Sequence, residues 1–435
     1  MADSPKQPDP IDPASFERRP TFDSLSDKSF RWFFIASLGV FGATNSLILV
    51  RGYLVFELTG SYAALGLLGL VGVVPGVIAT LYGGIVADRW PKFRVVQIGQ
   101  SLMAVFALGV GALLYFDRLE FWHLLVSAFA QGAIFGMLAP SWQSIIPEIV
   151  GPERLMNAAA LNMGGMNVVR LVMPAACGFA LGVTATHNVY LAISGMFCIA
   201  VLALARANAG IERSGHDPLA TRVGSREDDV RKKGEQPSPM ASLLEGWRYV
   251  VRHPVIWMLL VSNLVFTFLS MPFMHMLPGF VKQVLGGGPE VLGTMMSCIS
   301  LGALSSTLFI ASMRARNRGR TVLLGNAVLG VAVVGFALFE SAWITFPLLL
   351  VIGAGQSLRN SLSNVLSQTY VDDAYRGRVM SLVAMQMNAA QLGTFVIGLA
   401  SEAVGPRWAF AAMGAALVVM SIGFTLWFSP MRRLQ

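Results

Sequence analysis

The chain is written in long apolar runs broken by short polar stretches, and the runs are continuous, without the alternation of a half-buried strand. About 20 such residues in a row form a helix of roughly 30 Å, enough to cross the hydrocarbon core of a bilayer. Each run therefore predicts one membrane-spanning helix, and a β-barrel is excluded. The pattern places spans near Trp32–Val55, Ala63–Ala87, Val95–Phe116, Phe121–Ile146, Asn157–Val183 and Val189–Ala205. A second set follows near Val255–Phe280, Val291–Met313, Thr321–Phe339, Ala342–Ser367, Val379–Ala400 and Trp408–Phe428. The expected fold is all-α integral membrane, with about twelve transmembrane helices in two six-helix halves, 32–205 and 255–428.

The remaining stretches read as connections. Residues 206–254 carry Arg213, Arg222, Arg226, Arg231, Lys232 and Lys233 and are too polar to span, so they form a linker. Its end, 240–252, spaces Leu243, Leu244, Trp247, Val250 and Val251 along one helical face, predicting an amphipathic helix on the membrane surface. Residues 1–31 are polar and Pro-containing with no apolar core, which predicts a disordered cytoplasmic tail and no cleavable signal peptide. Residues 429–435 are a second cytoplasmic tail.

Composition agrees: 54% of residues are hydrophobic and 13% charged, against about 25% charged in a soluble domain. A net charge of +8 would raise nucleic acid as a partner in a soluble protein, but here the basic residues flank spans. They set orientation instead. Of the 32 Lys and Arg, Arg118, Lys282 and Arg407 fall on one side, Arg51, Arg170 and Arg359 inside spans, and all others on the opposite side. The positive-inside rule makes that side, with both termini, cytoplasmic. Cys177, Cys198 and Cys298 lie within apolar runs as packing residues.

The two halves repeat weakly. Arg154-Leu-Met-Asn-Ala-Ala-Ala-Leu-Asn-Met163 opens the fifth span and Arg378-Val-Met-Ser-Leu-Val-Ala-Met-Gln-Met387 the eleventh, with Arg, Met, Ala and Met in register. Internal duplication of this kind describes a secondary transporter whose binding site lies near the midplane, where the halves meet. No Gly-Lys dipeptide occurs, which removes a phosphate-binding loop, and no His-Glu-x-x-His pair is present. The chain is expected not to be an enzyme and to need no cofactor or metal.

The most specific motif is Gly84-Ile-Val-Ala-Asp88-Arg89-Trp-Pro-Lys92, in the loop after the second span. Here the chain resembles the major facilitator superfamily, whose corresponding loop reads Gly-x-x-x-Asp-Arg-x-Gly-Arg/Lys-Arg/Lys; Gly84, Asp88, Arg89 and Lys92 match. The resemblance implies a cytoplasmic gate latch. Phe56-Glu57-Leu58-Thr59-Gly60-Ser61, Ile146-Pro147-Glu148-Ile149-Val150 and Arg376-Gly377-Arg378-Val379-Met380-Ser381 are similar to the bacterial drug and siderophore exporters related to enterobactin export and macrolide efflux. The likeness runs from about Arg31 to Phe428. Two elements depart: the fourth-span Arg-x-x-Gln-Gly pattern appears as Ala128-Phe-Ala-Gln131-Gly132, and the antiporter element of the fifth span is reduced to Met173-Pro174-Ala-Ala-Cys177-Gly178.

Within the spans the polar residues recur at helical spacing. Ser37, Thr44 and Arg51 share a face of the first span; Asn167, Arg170 and Pro174 one of the fifth, with Met163. Gln356, Asn360, Ser363 and Ser367 form a stripe on the tenth with Arg359 beside it, and Gln391 follows Met387 on the eleventh. A guanidinium at mid-bilayer costs about 2.5–3.5 kcal/mol, so these stripes must face the bundle interior or water. For Arg51 the alternative is snorkelling outward, since roughly 9 Å of helix separates it from Glu57; for Arg170 and Arg359 it is bonding between helices. Arg170 and Arg359, on opposite halves, are the pair expected to meet substrate across the midplane. No carboxylate lies mid-span, which leaves His275, in Met271-Pro272-Phe-Met-His275, as the proton-coupling candidate, against a packed histidine beside a proline kink.

The function expected is export of a small amphipathic compound, anionic or carbonyl-rich given the three arginines, by a monomeric antiporter of the bacterial inner membrane. The partners are a small-molecule substrate, the lipid bilayer and protons as coupling ion, and no nucleic acid. The alternatives are an organic-anion uptake permease and a transporter-like sensor or scaffold that transports nothing.

Overall fold

A computed structural model describes residues 22–213, 239–312, 318–339, 341–372 and 375–427. Its helices are α1 (Lys28–Thr59), α2 (Tyr62–Arg89), α3 (Lys92–Tyr115), α4 (Phe121–Gly151), α5 (Arg154–Val183) and α6 (Thr186–Arg213). The second half contains α7 (Pro239–Arg252), α8 (Pro254–Ser270), α9 (Pro272–Gln283), α10 (Pro289–Ser312), α11 (Arg318–Leu338), α12 (Ala342–Tyr370), α13 (Arg376–Val404) and α14 (Pro406–Trp427). No strand occurs among the described residues.

Local chemistry sets the boundaries. Asp27 caps α1 by accepting from the amides of Ser29 (2.7 Å) and Phe30 (3.0 Å), and Gly60, at φ 62°, ends it in the left-handed region. Ser61 then caps α2, accepting from the Ala64 amide at 3.1 Å. Gly151, with φ 68° and ψ 173°, breaks what would otherwise be one helix into α4 and α5. Pro272 opens α9 and divides the seventh span there.

Among the described residues, ten of the predicted spans, counting α8 and α9 as one, are long and apolar enough to cross a membrane. The other two long helices, α12 and α13, carry the polar stripes that the sequence assigns to an interior. Both pack into the bundle, α12 against α10 and α11, and α13 against α2 and α8. Burial of their polar faces against neighbours replaces the apolarity that lipid contact would demand.

The linker and the tail differ from expectation at their edges. Helix α6 continues beyond Ala205 to Arg213, where Arg206 lies 4.9 Å from the Trp32 ring. The end of the N-terminal tail is folded: Asp23–Ser26 form a 3-10 turn, Asp23 pairs with Arg154 at 3.1 Å, and the Ser24 amide donates to Asn157 at 3.1 Å. Residues 1–21, most of the linker, and 428–435 lie outside the described residues. Helix α7 docks Tyr249 and Val250 against Val371 and Val379 of the second half and leaves Leu244, Trp247 and Val251 exposed, one apolar stripe at i, i+3 and i+7.

The halves pack internally in matching ways. Helix α2 meets α4 so closely that a Cβ on Gly132 would lie 2.0 Å from the Gly72 carbonyl oxygen; α10 meets α12 as closely, with Gly302 against Leu350. Between halves, α2 lies along α13 and α5 along α10. These two seams close at the face carrying Gly60, Val183 and Val404, here termed the far face. At the α5–α10 seam a Cβ on Gly178 would stand 2.8 Å from the Gly293 Cα. Towards the near face, where the described chain begins and ends, α5 keeps its contacts with α1 through Gly165 and leaves another of its faces uncovered. Met156 is 83% exposed there, and a Cβ on Gly164 would meet nothing within 4 Å.

Candidate functional site: a central cavity around Arg51

A cavity of about 310 Å³ lies between the halves, walled by α1, α2, α4, α9, α10 and α13. Most of its wall is apolar and soft, with Leu65, Leu68, Phe135, Met271, Met274 and Met296. Four polar side chains interrupt it: Arg51, Gln131, His275 and Gln391. Among the described residues no carboxylate borders it.

Arg51 turns inward rather than snorkelling towards Glu57. It is 7% exposed, and its guanidinium donates to Gln131 Oε1 and, at 3.5 Å, to Ser127 Oγ. Ser127 and Gln131 sit one turn apart on α4, so one planar fork reaches both. Both partners are neutral, and Arg51 Nε has no partner at all. The charge is thus held in place and left uncompensated. Ala128, where the exporter pattern has arginine, lines the same wall, and the guanidinium beside Gln131 comes instead from α1.

The other candidates divide by location. His275 faces the cavity with Met271, Met274 and Pro278, the stripe of α9 spaced by three and four residues. Gln391 enters from α13 opposite Gly69, where any Cβ would come within 2.6 Å of its Oε1; that buried oxygen is unpartnered. Thr44 lies two turns along α1 from Arg51 and outside the wall, its Oγ1 buried without a partner. On α5, Arg170 is exposed and stands 6.0 Å from the Phe41 ring, on the stripe that carries Asn167, Met163 and Met156. Because Val168, Val172, Phe179 and Val183 form a separate exposed apolar face, the Arg170 stripe looks into the opening between the halves and the apolar one into lipid.

Arg359 is placed differently. At 2% exposure it donates to Thr267 Oγ1 and, at 3.5 Å, to Asn263 Oδ1, both on α8. Asn263 donates in turn to Gln386 of α13 at 2.6 Å, and Gln386 to the Leu260 carbonyl at 2.9 Å. Gln356 donates to the Ser270 carbonyl at 3.3 Å, while Asn360 is exposed. The structure therefore does not bring Arg170 and Arg359 together: one stands in the opening, the other ties α12 to α8 within its own half.

Of the gate motif, Lys92 makes an ion pair with Glu148, joining the start of α3 to the end of α4, and Arg89 ends α2 exposed. Gly84 and Asp88 lie on the last turns of α2, and their side chains are outside the described set. At the far face the closure is explicit. Glu402 of α13 accepts from Ser61 Oγ and, at 3.2 Å, from the Ala63 amide, and Lys282 pairs with Glu57 at 3.4 Å. Sequence reasoning singled out neither Ser127 nor the Glu402 contact with the first turn of α2; the i, i+4 spacing of Ser127 and Gln131 was the available signal for the former.

A family model described as transmembrane secretion effector matches residues 19–433. The chain belongs to this family of major facilitator transporters. Within it, the chain is similar to the multidrug efflux pump Tap of Mycolicibacterium fortuitum, 26% identical over 88% of this chain and 91% of that one. It is likewise similar to the staphyloferrin A transporter of Staphylococcus aureus, 22% identical over 83% and 86%. The fold resembles that of a variant of the nucleoside transporter NupG, with a TM-score of 0.73 at 14% identity over 92% of this chain and 100% of that one. As a secretion effector family member the protein is a multi-pass membrane transporter, and the cavity between its halves is the candidate transport site.

Proposed function

We propose that this transporter exports a small amphipathic compound with an acidic or carbonyl-rich end, by alternating access, across the inner membrane of a bacterium with both termini cytoplasmic. The observation that carries the reading is Arg51: a buried guanidinium, bonded only to neutral side chains, in a cavity whose wall is mostly methionine and other apolar groups. An opposite charge about 4 Å away gains roughly 4 kcal/mol at an effective dielectric of 20, whereas a cation is repelled by the same field. The flexible apolar wall suits a substrate body of variable shape. Export is supported by the similarity to Tap, and the closed far face with an open near face fits a state that loads substrate from the cytoplasm.

The test is substrate accumulation in inverted vesicles carrying an imposed pH gradient. Arg51→Gln retains hydrogen bonding and removes the charge, so uptake of an acidic substrate should fall at least about tenfold while a neutral analogue changes little. Equal losses for both, or preferred transport of lipophilic cations by the unmodified protein, would overturn the reading.

A further inference from the structure

Away from the central cavity, α10, α11 and α12 enclose a groove of about 470 Å³ that opens sideways from the second half. Gly325, Ala354 and Gly355 form its floor, and Phe309, Leu324 and Val328 stand half-exposed along its edges. The hydroxyls of Ser305 and Ser306 turn back to carbonyls of their own helix, Gly302 at 2.7 Å and Ala303 at 3.2 Å, so they offer little to a polar guest. An occupant of the slot must be apolar. At its near-face end the chemistry changes: Arg318 lies on the same stripe of α11 as Thr321, Gly325 and Val328, at i, i+3, i+7 and i+10, and Arg320 follows two residues on. An apolar slot with an arginine one helical turn beyond its last α11 lining residue, at the end of a membrane span, matches an amphiphile with a long chain and an anionic head.

We propose that this groove binds an anionic phospholipid of the near-face leaflet, one acyl chain lying between α10 and α11 against α12 and the phosphate at Arg318. The bound chain would brace the outer side of α12, whose inner side holds Arg359. This site is independent of the substrate reading, since it shares no lining residue with the central cavity.

The experiment is native mass spectrometry of the detergent-purified protein with phosphatidylglycerol or phosphatidylcholine of identical chains. The unmodified protein should retain phosphatidylglycerol about fivefold better, the increment expected of one arginine near a membrane surface. Arg318→Gln should abolish that preference, and Val328→Phe, which fills the slot from its lipid side, should reduce retention of both lipids. A photoreactive phosphatidylglycerol on the unmodified protein should label peptides within 305–328 or 351–358, a readout that does not depend on any variant folding. Equal retention of the two lipids, labelling elsewhere, or displacement of phosphatidylglycerol by equimolar glycerol phosphate would overturn the proposal, the last because it would make the site one for a free phosphate.

Discussion

Arg51 and Arg359 are the same residue in two different situations. Each is buried, and each bonds a pair of neutral side chains one turn apart on a neighbouring helix: Ser127 and Gln131 for Arg51, Asn263 and Thr267 for Arg359. The roles of the helices are exchanged between halves, since α1 reaches to α4 in the first while α12 reaches to α8 in the second. What separates the two residues is the cavity. Arg51 borders it, whereas Arg359 is sealed among α8, α12 and α13. Arg359→Gln should therefore lower stability by about 1–3 kcal/mol, read as a drop in unfolding temperature in detergent. Transport of acidic and neutral substrates should fall together. A selective loss of the acidic substrate in that variant would return Arg359 to the binding site.

The helices of the two halves are joined at the far face. The first turn of α2 presents unpaired amides, and the Glu402 carboxylate of α13 fills that position across the seam between halves. Such an exposed charge–dipole contact contributes about 0.3–1 kcal/mol, so Glu402→Gln should shift the far face towards opening by roughly two- to fivefold. The measurement is labelling of Leu65→Cys, on the cavity wall of α2, by a membrane-impermeant maleimide applied from the far side of intact cells. An unchanged rate would mean that the glycine-lined seams alone hold that face shut. At the near face Asp88→Asn should sharply slow transport while insertion and folding persist, because the latch implied by the motif needs its charge to close. Normal turnover in that variant would remove the latch role.

For the molecule as a whole, the missing piece of chemistry is a mid-membrane acid. No carboxylate among the described residues borders the cavity, and any proton dependence is proposed to run through His275, which does, or through a boundary acid. His275→Gln should abolish accumulation driven by a pH gradient in proteoliposomes while leaving substrate binding within about twofold, since Gln keeps the polar contact and loses only the titration. Undiminished gradient-driven transport by the variant would move the coupling site to Glu402 or Glu57. Transport that persists without any ion gradient would indicate facilitated diffusion instead.

Much of this architecture was legible along the chain. Span length, the repeat in the fifth and eleventh spans, and the polar stripes all follow from periodicities that the backbone converts into faces. Helix α7 and the inward need of Arg51, Arg170 and Arg359 were written in the same way. What periodicity cannot encode is which neighbour a face meets. Arg51 and Arg359 look alike in sequence, each a lone charge in an apolar run, and only the packing of α1 on α4 and of α12 on α8 makes one a wall of the cavity and the other a tie between helices. The partnership of Glu402 with α2 joins residues more than 330 positions apart, a distance over which no local pattern carries information. Local chemistry decides where helices begin, end and turn polar; the assignment of those polar faces to cavity, seam or lipid is a property of the folded bundle, because burial and hydrogen-bond geometry exist only once the helices are side by side.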